Sequence, residues 1–191
     1  IRRIYGVFSG LLLVAAAHGV VSEPVEAQQD GQQGAVKPVA VLSVASLEHL
    51  TADLGYLTAV AGRADVAVGL QVLGSGLLQD FDRTRPAGVL ITLDDVEPRG
   101  VGFLPVPDSD ELIGRLKQRF GFEIDELGNG IRKICWGKGA YLKQKGEWLF
   151  FTDQAKHLSD LPNDPVAMLD GLEQQYGLAV RFYVSNIPAG L

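Results

Sequence analysis

A glycine-rich segment at residues 69–76 is the part of the sequence that comes nearest to a phosphate-binding loop. In such a loop a lysine follows the second conserved glycine and contacts the phosphates. Ser75 stands in that place here, and the segment lies within a pattern typical of a helix. Ser75 also lacks the flanking glycines, two places away on each side, that a hydrolase nucleophile elbow requires. We therefore interpret the segment as a helix kink or a helix packing site.

Histidines and clustered carboxylates are the next candidates for chemistry. Apart from His18, which lies in the export signal described below, the histidines are His49 and His157, and neither has a second histidine or cysteine at ligand spacing. We therefore expect no zinc site. Two acidic groups could form a weak Ca²⁺ loop or a hydrolytic pair. They are Asp94, Asp95 and Glu97, and Asp108, Asp110 and Glu111. Neither has the ligand register of an EF-hand, so we interpret them as a solvated hairpin connection and a helix cap.

The lysine-glycine stretches and the aromatic residues also have structural explanations. Residues 137–139 and 143–146 could bind an anion through lysine and backbone N–H groups, but both lie where the predicted hairpins require turns. Cys135 follows Ile134 in a predicted strand, which favours a buried and unreactive thiol. The large aromatic residues nearby are interpreted as core, and they are Trp136, Trp148, Phe150 and Phe151. The sequence therefore predicts no catalytic residue, cofactor or metal site.

Residues 1–27 have the order of an export signal. Arg2 and Arg3 supply positive charge, residues 4–21 are uncharged and largely apolar, and a polar stretch leads to Val25-Glu26-Ala27. This ending suits signal peptidase, so we predict cleavage after Ala27, with residues 15–17 as an earlier alternative. A retained membrane anchor is the competing interpretation, although the apolar run falls just short of the about 20 residues that span a bilayer. Both interpretations predict an exported protein in the periplasm, the cell envelope or the extracellular space.

Charge and cysteine content restrict the partners of the exported chain. The formal net charge is −6, and removal of residues 1–27 leaves it unchanged because two arginines depart with two glutamates. Nucleic-acid binding depends on clustered lysine and arginine, so we expect no nucleic-acid partner. Membrane contact is expected only if the signal is retained. Cys135 is the single cysteine, which excludes a disulfide within the chain.

The remaining sequence divides into a tether and a folded domain. Residues 28–37 are mostly polar and small, and are interpreted as a disordered tether. The chain as a whole is 47% hydrophobic and 21% charged, which is a globular composition. We predict one domain at residues 38–191. Because the chain opens on Ile1 and closes just after a predicted strand, we also expect it to be a fragment of a longer protein.

Strand-like runs alternate with capped helices in this domain. After the predicted cap Ser46, apolar residues recur at steps of three and four, which predicts an amphipathic helix. They are Leu47, Leu50, Leu54, Leu57 and Ala61. Residues 63–80 form a second predicted helix. The third follows the cap Asp108, with Leu112, Leu116 and Phe120 on its inner face.

A short exposed helix near His157 is predicted from Asp153. A further helix is predicted from Asp164-Pro165, with Leu169, Leu172 and Tyr176 facing inward. The predicted strands lie at residues 39–44, 88–93, 101–106, 122–125, 131–136, 140–144, 147–152 and 178–184. Most successive strands are predicted to be joined as hairpins, one of them through a turn at Asn129-Gly130, whose residue types tolerate positive φ. The sequence therefore predicts an α+β fold, a largely antiparallel sheet with helices packed on one face as a two-layer sandwich.

A resemblance rests on six segments, which are ASLEHLTADLGYL, TRPAGVLI, VGFLPVPD, YLKQKGEWLFFTD, LPNDPVAML and YGLAVRFYVSNIP. In their order and in their residues, these segments resemble a family of uncharacterised exported bacterial proteins, longer than this chain, in which an α+β unit is repeated. The likeness covers about residue 40 to the end. It implies a secreted context and a truncated C-terminus, and it brings no known activity and no functional residues.

Three classes of function remain open from the sequence. The favoured class is an exported, non-catalytic domain that binds another protein, an envelope polymer or its own neighbouring repeat. The first alternative is a carrier of an apolar small molecule in a pocket between helices and sheet. The second is a hydrolase that uses carboxylates such as Asp94 or Asp108.

Overall fold

The computed structural model describes residues 37–63, 66, 68, 81–94, 97–135 and 139–188, with the side chains of residues 94 and 97 excepted. The predicted export signal with its cleavage site at Ala27, the tether up to residue 36 and most of the predicted helix at residues 63–80 lie outside the described residues. Among the described residues, no helix is both long enough and apolar enough to cross a membrane.

One eight-stranded sheet organises the described chain, and every paired strand in it is antiparallel. The strands are β1 (Pro38–Val44), β2 (Ala87–Asp94), β3 (Glu97–Pro105), β4 (Glu123–Gly128), β5 (Ile131–Cys135), β6 (Ala140–Lys145), β7 (Trp148–Thr152) and β8 (Leu178–Phe182). Their order across the sheet is β4-β5-β6-β7-β3-β2-β1-β8. The predicted α+β class with a largely antiparallel sheet is confirmed.

Helices follow β1 and β3, as the caps predicted. The Ser46 hydroxyl accepts a hydrogen bond from the His49 N–H at 3.0 Å and starts α1 (Leu47–Val60). The Asp108 carboxylate accepts from the N–H groups of Asp110 and Glu111 and starts α2 (Ser109–Phe120). These caps form because a short polar side chain satisfies backbone donors that the first helical turn leaves without partners.

The hairpin between β2 and β3 is tighter than the sequence indicated. Pairing continues to Asp94 opposite Glu97, so most of the predicted polar connection at residues 94–100 belongs to the strands. The turn after β4 is as predicted, with Asn129 at φ 52° and Gly130 at φ 72°. Both residue types tolerate positive φ, which a tight hairpin turn needs.

The sheet is covered on both faces. Phe103 of β3 and Phe150 of β7 lie in one core cluster with Leu158 and Leu169, which follow β7 in the chain. Leu149, the neighbour of Phe150, lies in a second cluster beneath α2. Adjacent residues of a strand point to opposite faces, so the clusters lie on opposite sides of the sheet. The two-layer packing with helices on one face is therefore not confirmed.

The first cluster is closed by the segment between β7 and β8, which is less helical than predicted. It contains 3₁₀ turns at Ala155–Leu158 and Val166–Leu169 and one turn of helix, α3 (Leu172–Gln175). The predicted helix from Asp164 is interrupted because Asp170 and Gly171 both adopt positive φ. Leu169 and Leu172 are buried as predicted, whereas Tyr176 is 55% exposed. The inward position predicted for Tyr176 is wrong, since the helix ends before its side chain can turn to the core.

Candidate functional site

The second acidic group forms structural bonds. Asp108 caps α2, Glu111 pairs with Arg115 one turn later at 3.1 Å, and Asp110 pairs with Arg132 of β5. Arg132 also pairs with Glu126 of β4 at 3.1 Å. The ion pairs thus join α2 to the sheet beside an open groove of about 260 Å³ lined by Asp110, Ile113, Gly114, Ile124, Glu126 and Arg132. The one guanidinium of the groove, that of Arg132, is paired with both of its carboxylates, so the groove offers neither a free anion site nor an apolar cavity.

Several candidates from the sequence lie outside the described residues. They are the glycine-rich segment at residues 69–76, Asp95, Trp136 and Lys138. The side chains of Asp94 and Glu97 are likewise not described. Within the described part of the chain, no group of three histidine, cysteine or acidic residues is arranged to hold a metal ion.

A Thr-His-Asp cluster forms where β7 ends, and the sequence did not reveal it. The Thr152 hydroxyl lies 3.3 Å from His157 Nδ1 and 3.3 Å from the Asp153 carboxylate, which lies 3.9 Å from the same Nδ1. In a catalytic triad the hydroxyl and the carboxylate bind opposite ring nitrogens. Both lie at Nδ1 here, and the buried Nε2 has no hydrogen-bond partner among the described residues. The cluster therefore does not have the geometry of a triad.

Burial controls the protonation of His157. Its side chain is only 2% exposed, which corrects the expectation of an exposed helix at this point. Burial lowers the pKa of His157 because the charged imidazolium loses hydration, and the positive charges of Arg99 and Lys156 lower it further. The carboxylate of Asp153 opposes these effects in part. These effects favour the neutral form of the ring, which suits its buried position.

Cys135 is exposed rather than buried, contrary to prediction. It lies at the end of β5, where its thiol donates a hydrogen bond to the Asp125 carboxylate across the strand pair at 3.1 Å. This bond, together with the negative charge of Asp125, raises the pKa of the Cys135 thiol. A raised pKa reduces the thiolate fraction, and the thiolate is the nucleophile. The bond to Asp125 therefore disfavours the reactive thiolate form of this exposed thiol.

The basic and amide side chains of β6 bind backbone carbonyl groups. Lys143 donates to the carbonyl of Leu158 at 3.1 Å, and Lys145 donates to that of Leu161. Gln144 points to the other side, where it donates to the carbonyl of Val106 at 2.8 Å. The anion site considered at residues 143–146 is thus used to hold the β7–β8 segment against the sheet.

Trp148 and Phe150 of β7 are core, as predicted, and Phe103 of β3 packs with them. Phe103 meets Trp148 edge to face with ring centroids 5.6 Å apart, and Phe150 is fully buried beside them. Arg85 covers the outer face of Trp148, with its guanidinium 4.2 Å from the ring centroid, and pairs with Glu147 at 2.7 Å. Burial and the cation–π contact leave no open aromatic platform at this point.

The clearest row of exposed apolar side chains lies on the outer strand β8. Leu178 and Val180 are each 39% exposed, and Phe182 is 71% exposed. These residues alternate along the strand, so their side chains share one face. The neighbouring residue Ala179 instead packs against the first core cluster. β8 therefore presents a row of apolar side chains at the boundary of the sheet.

The backbone of the same three residues faces outward. The N–H of Ala45 donates to the Gly177 carbonyl at 3.0 Å, and the N–H of Tyr183 donates to the Val39 carbonyl at 2.9 Å. In an antiparallel ladder only alternate residues bond a given neighbour, so the odd-numbered residues of β8 bond β1. The N–H and carbonyl groups of residues 178, 180 and 182 point away from it, and no other described strand lies beyond β8.

The opposite edge of the sheet has a different character. β4 carries exposed Glu123, Asp125 and Glu126, and its pairing with β5 is irregular between Glu126 and Gly128. Charged side chains and bulges are devices that discourage a sheet edge from pairing with another chain. Along β8, the charged side chain of Arg181 is instead bound to Asp170 of its own chain. The β8 edge alone combines apolar side chains with outward backbone groups among the described strands.

Further apolar side chains are exposed near β8. The stripe predicted for α1 is covered at Leu47, but Leu57 is 58% exposed. Tyr56 and Val60 on the same turn are each 70% exposed. Helix α1 runs past the start of β8, since a Cβ placed on Gly177 would lie 3.2 Å from the Asp53 carboxylate.

The chain was compared with protein-family models, with curated proteins and with solved structures, and it matches none of them.

Proposed function

We propose that this chain is an exported, non-catalytic interaction domain that binds another protein by strand addition at β8. The observation that carries the proposal is the coincidence, in Leu178, Val180 and Phe182, of exposed apolar side chains with outward backbone donors and acceptors. Strand addition uses both features, because main-chain hydrogen bonds supply affinity and alternate side chains supply specificity. The exposed end of α1 provides a second apolar patch.

The candidate chemical groups support a structural role. Asp108 and Asp110 are held in a helix cap and an ion pair, the Thr152 and His157 side chains are buried, and the Cys135 thiol is bound by a carboxylate. Each of these groups is thus held by packing, a hydrogen bond or an ion pair within its own chain. The outward backbone groups of residues 178, 180 and 182, in contrast, face no strand among the described residues.

The binding proposal is tested by capture from an envelope extract of the source cells. Phe182→Lys places a charge in the apolar row at an exposed position, so we expect it to fold and to lose the bound proteins. Leu127→Lys is the matched control, since Leu127 is 51% exposed on the opposite edge strand. Bound proteins retained by the wild type and by Leu127→Lys, but lost from Phe182→Lys, support the proposal. Equal capture by all three chains refutes it.

Export is the second part of the proposal, and it rests on the order of residues 1–27. When the gene is expressed in a bacterial host with its own N-terminus, we expect the protein in the periplasmic or extracellular fraction. N-terminal sequencing is expected to begin at Gln28. Recovery of the uncleaved chain from the cytoplasm would contradict export, and recovery from the membrane would instead indicate a retained anchor.

A further inference from the structure

The β8 edge is complementary to itself. We propose that the partner at this edge is a second copy of the same chain, paired with β8 of the first copy in an antiparallel, two-fold register centred on Val180. The inference rests on the proposed function and names its partner. A two-fold interface must be self-complementary, because every contact is made twice with the partners exchanged.

The backbone satisfies this condition. The register centred on Val180 places Val180 opposite the same residue of the second copy, and Leu178 opposite Phe182. All three residues have outward N–H and carbonyl groups. Each facing pair therefore becomes a hydrogen-bonded pair that exchanges both backbone bonds. A register shifted by one residue would bring outward groups opposite inward groups and would lose these bonds.

The side chains of β8 are also self-complementary in this register. On the exposed face, the large Phe182 ring packs against the smaller Leu178 of the second copy, and the two Val180 side chains meet at the axis. On the other face, Arg181 lies opposite Ala179, so no like charges face each other. Arg181 keeps its ion pair with Asp170 of its own chain.

The segment that follows β8 turns back toward β1. After β8, the N–H of Tyr183 bonds Val39 and the amide of Asn186 donates to the Pro38 carbonyl at 2.7 Å, which directs the chain toward β1 and away from the free edge. A two-fold pairing through β4 is disfavoured because it would bring exposed carboxylates together. The shortness of β8 places the interface at the low end of the size range, so we expect a reversible dimer.

The first test is sedimentation velocity of the full chain over a range of concentrations. Val180→Pro removes an outward N–H and no hydrogen-bond donor to β1, so it blocks pairing with the second copy. Phe182→Lys charges the apolar row, and Val184→Lys is the matched control because Val184 is 74% exposed just beyond β8. We expect a concentration-dependent dimer for the wild type and for Val184→Lys, and a monomer for the other two. A monomeric wild type, or a dimer that survives both edge variants, overturns the proposal.

The second test establishes the register by cross-linking in a Cys135→Ser background. Facing residues of a hydrogen-bonded pair have Cα atoms about 5.5 Å apart, within the range that a disulfide spans. Val180→Cys is therefore expected to cross-link with itself under oxidation. Leu178→Cys and Phe182→Cys are expected to cross-link only when mixed with each other. Cross-linking of Leu178→Cys with itself, or no cross-linking at Val180, overturns the register.

The two proposals fail in different ways. A monomer whose capture of another protein is abolished by Phe182→Lys refutes the second copy and leaves the interaction domain standing. A β8-dependent dimer supports the second copy and, with it, strand addition at β8. A monomer whose protein capture does not depend on β8 refutes both.

Discussion

His157 shows how a single buried side chain makes stability depend on pH. Its ring is almost fully buried, and burial together with Arg99 and Lys156 lowers its pKa in the folded state. The unfolded chain therefore takes up a proton at a higher pH than the folded chain does. The contribution of His157 to stability is complete above the pKa of a free histidine, ~6.5. This contribution is lost as pH falls through the lower pKa of the folded state.

We predict that His157→Gln reduces this loss of stability on acidification. Urea unfolding at about pH 8 and about pH 5.5 measures it, because the difference between the two free energies of unfolding reports proton uptake. His49→Gln is the matched control, since His49 is exposed on α1. We expect the control to lose as much stability on acidification as the wild type. An equal loss in His157→Gln would show that His157 is not the group responsible.

Within β3, two glycines on the same face experience different surroundings. The Phe151 ring lies directly over Gly102, where an added Cβ would meet ring carbon atoms at 2.0 and 2.5 Å. An added Cβ at Gly100 would meet nothing within 4 Å. Gly102 therefore provides the space in which an aromatic residue of β7 packs across the sheet.

We predict that Gly102→Ala lowers the free energy of unfolding by about 2 kcal/mol, because Phe151 must move out of its place against the strand. Gly100→Ala is expected to be neutral or to stabilise by up to about 1 kcal/mol, since it restricts only the unfolded chain. Chemical denaturation of both variants gives the comparison. Similar losses in the two would show that backbone conformation, not the ring, requires glycine.

The two faces of the sheet are covered by segments from different parts of the chain. Helix α2 packs on one face through Leu112 and Ile113, and the β7–β8 segment packs on the other through Leu158 and Leu169. Leu169 is fully buried and lies over Gly88, where an added Cβ would be 2.7 Å from its Cδ2 atom. The β7–β8 segment thus completes the core although it contains little regular helix.

We predict that Leu169→Ala costs about 3 kcal/mol of stability, because it opens a cavity between this segment and the sheet. The loss is expected in a single transition measured by both far-ultraviolet and near-ultraviolet circular dichroism. Leu127→Ala, at an exposed position of β4, is expected to change stability by less than about 0.5 kcal/mol. Separate transitions by the two probes would mean that the β7–β8 segment unfolds independently of the sheet.

Local patterns were sufficient to predict most strands and the first helix caps. The caps at Ser46 and Asp108, the turn at Asn129-Gly130 and the alternation in β8 depend on residues within a few positions of each other. Their physical causes are backbone bonding, positive φ and the two-residue period of a strand. The α+β class follows from these features together with the hairpins.

Only the tertiary structure decided which strands lie at the edges of the sheet and which faces are covered. Burial of His157, exposure of Cys135 and the outward groups of β8 all depend on neighbours distant in the chain. The pattern of Leu178, Val180 and Phe182 is the same for a strand covered by another layer and for an edge strand. Strand order distinguishes the two cases, because it determines whether a neighbour is present to satisfy the outward backbone groups.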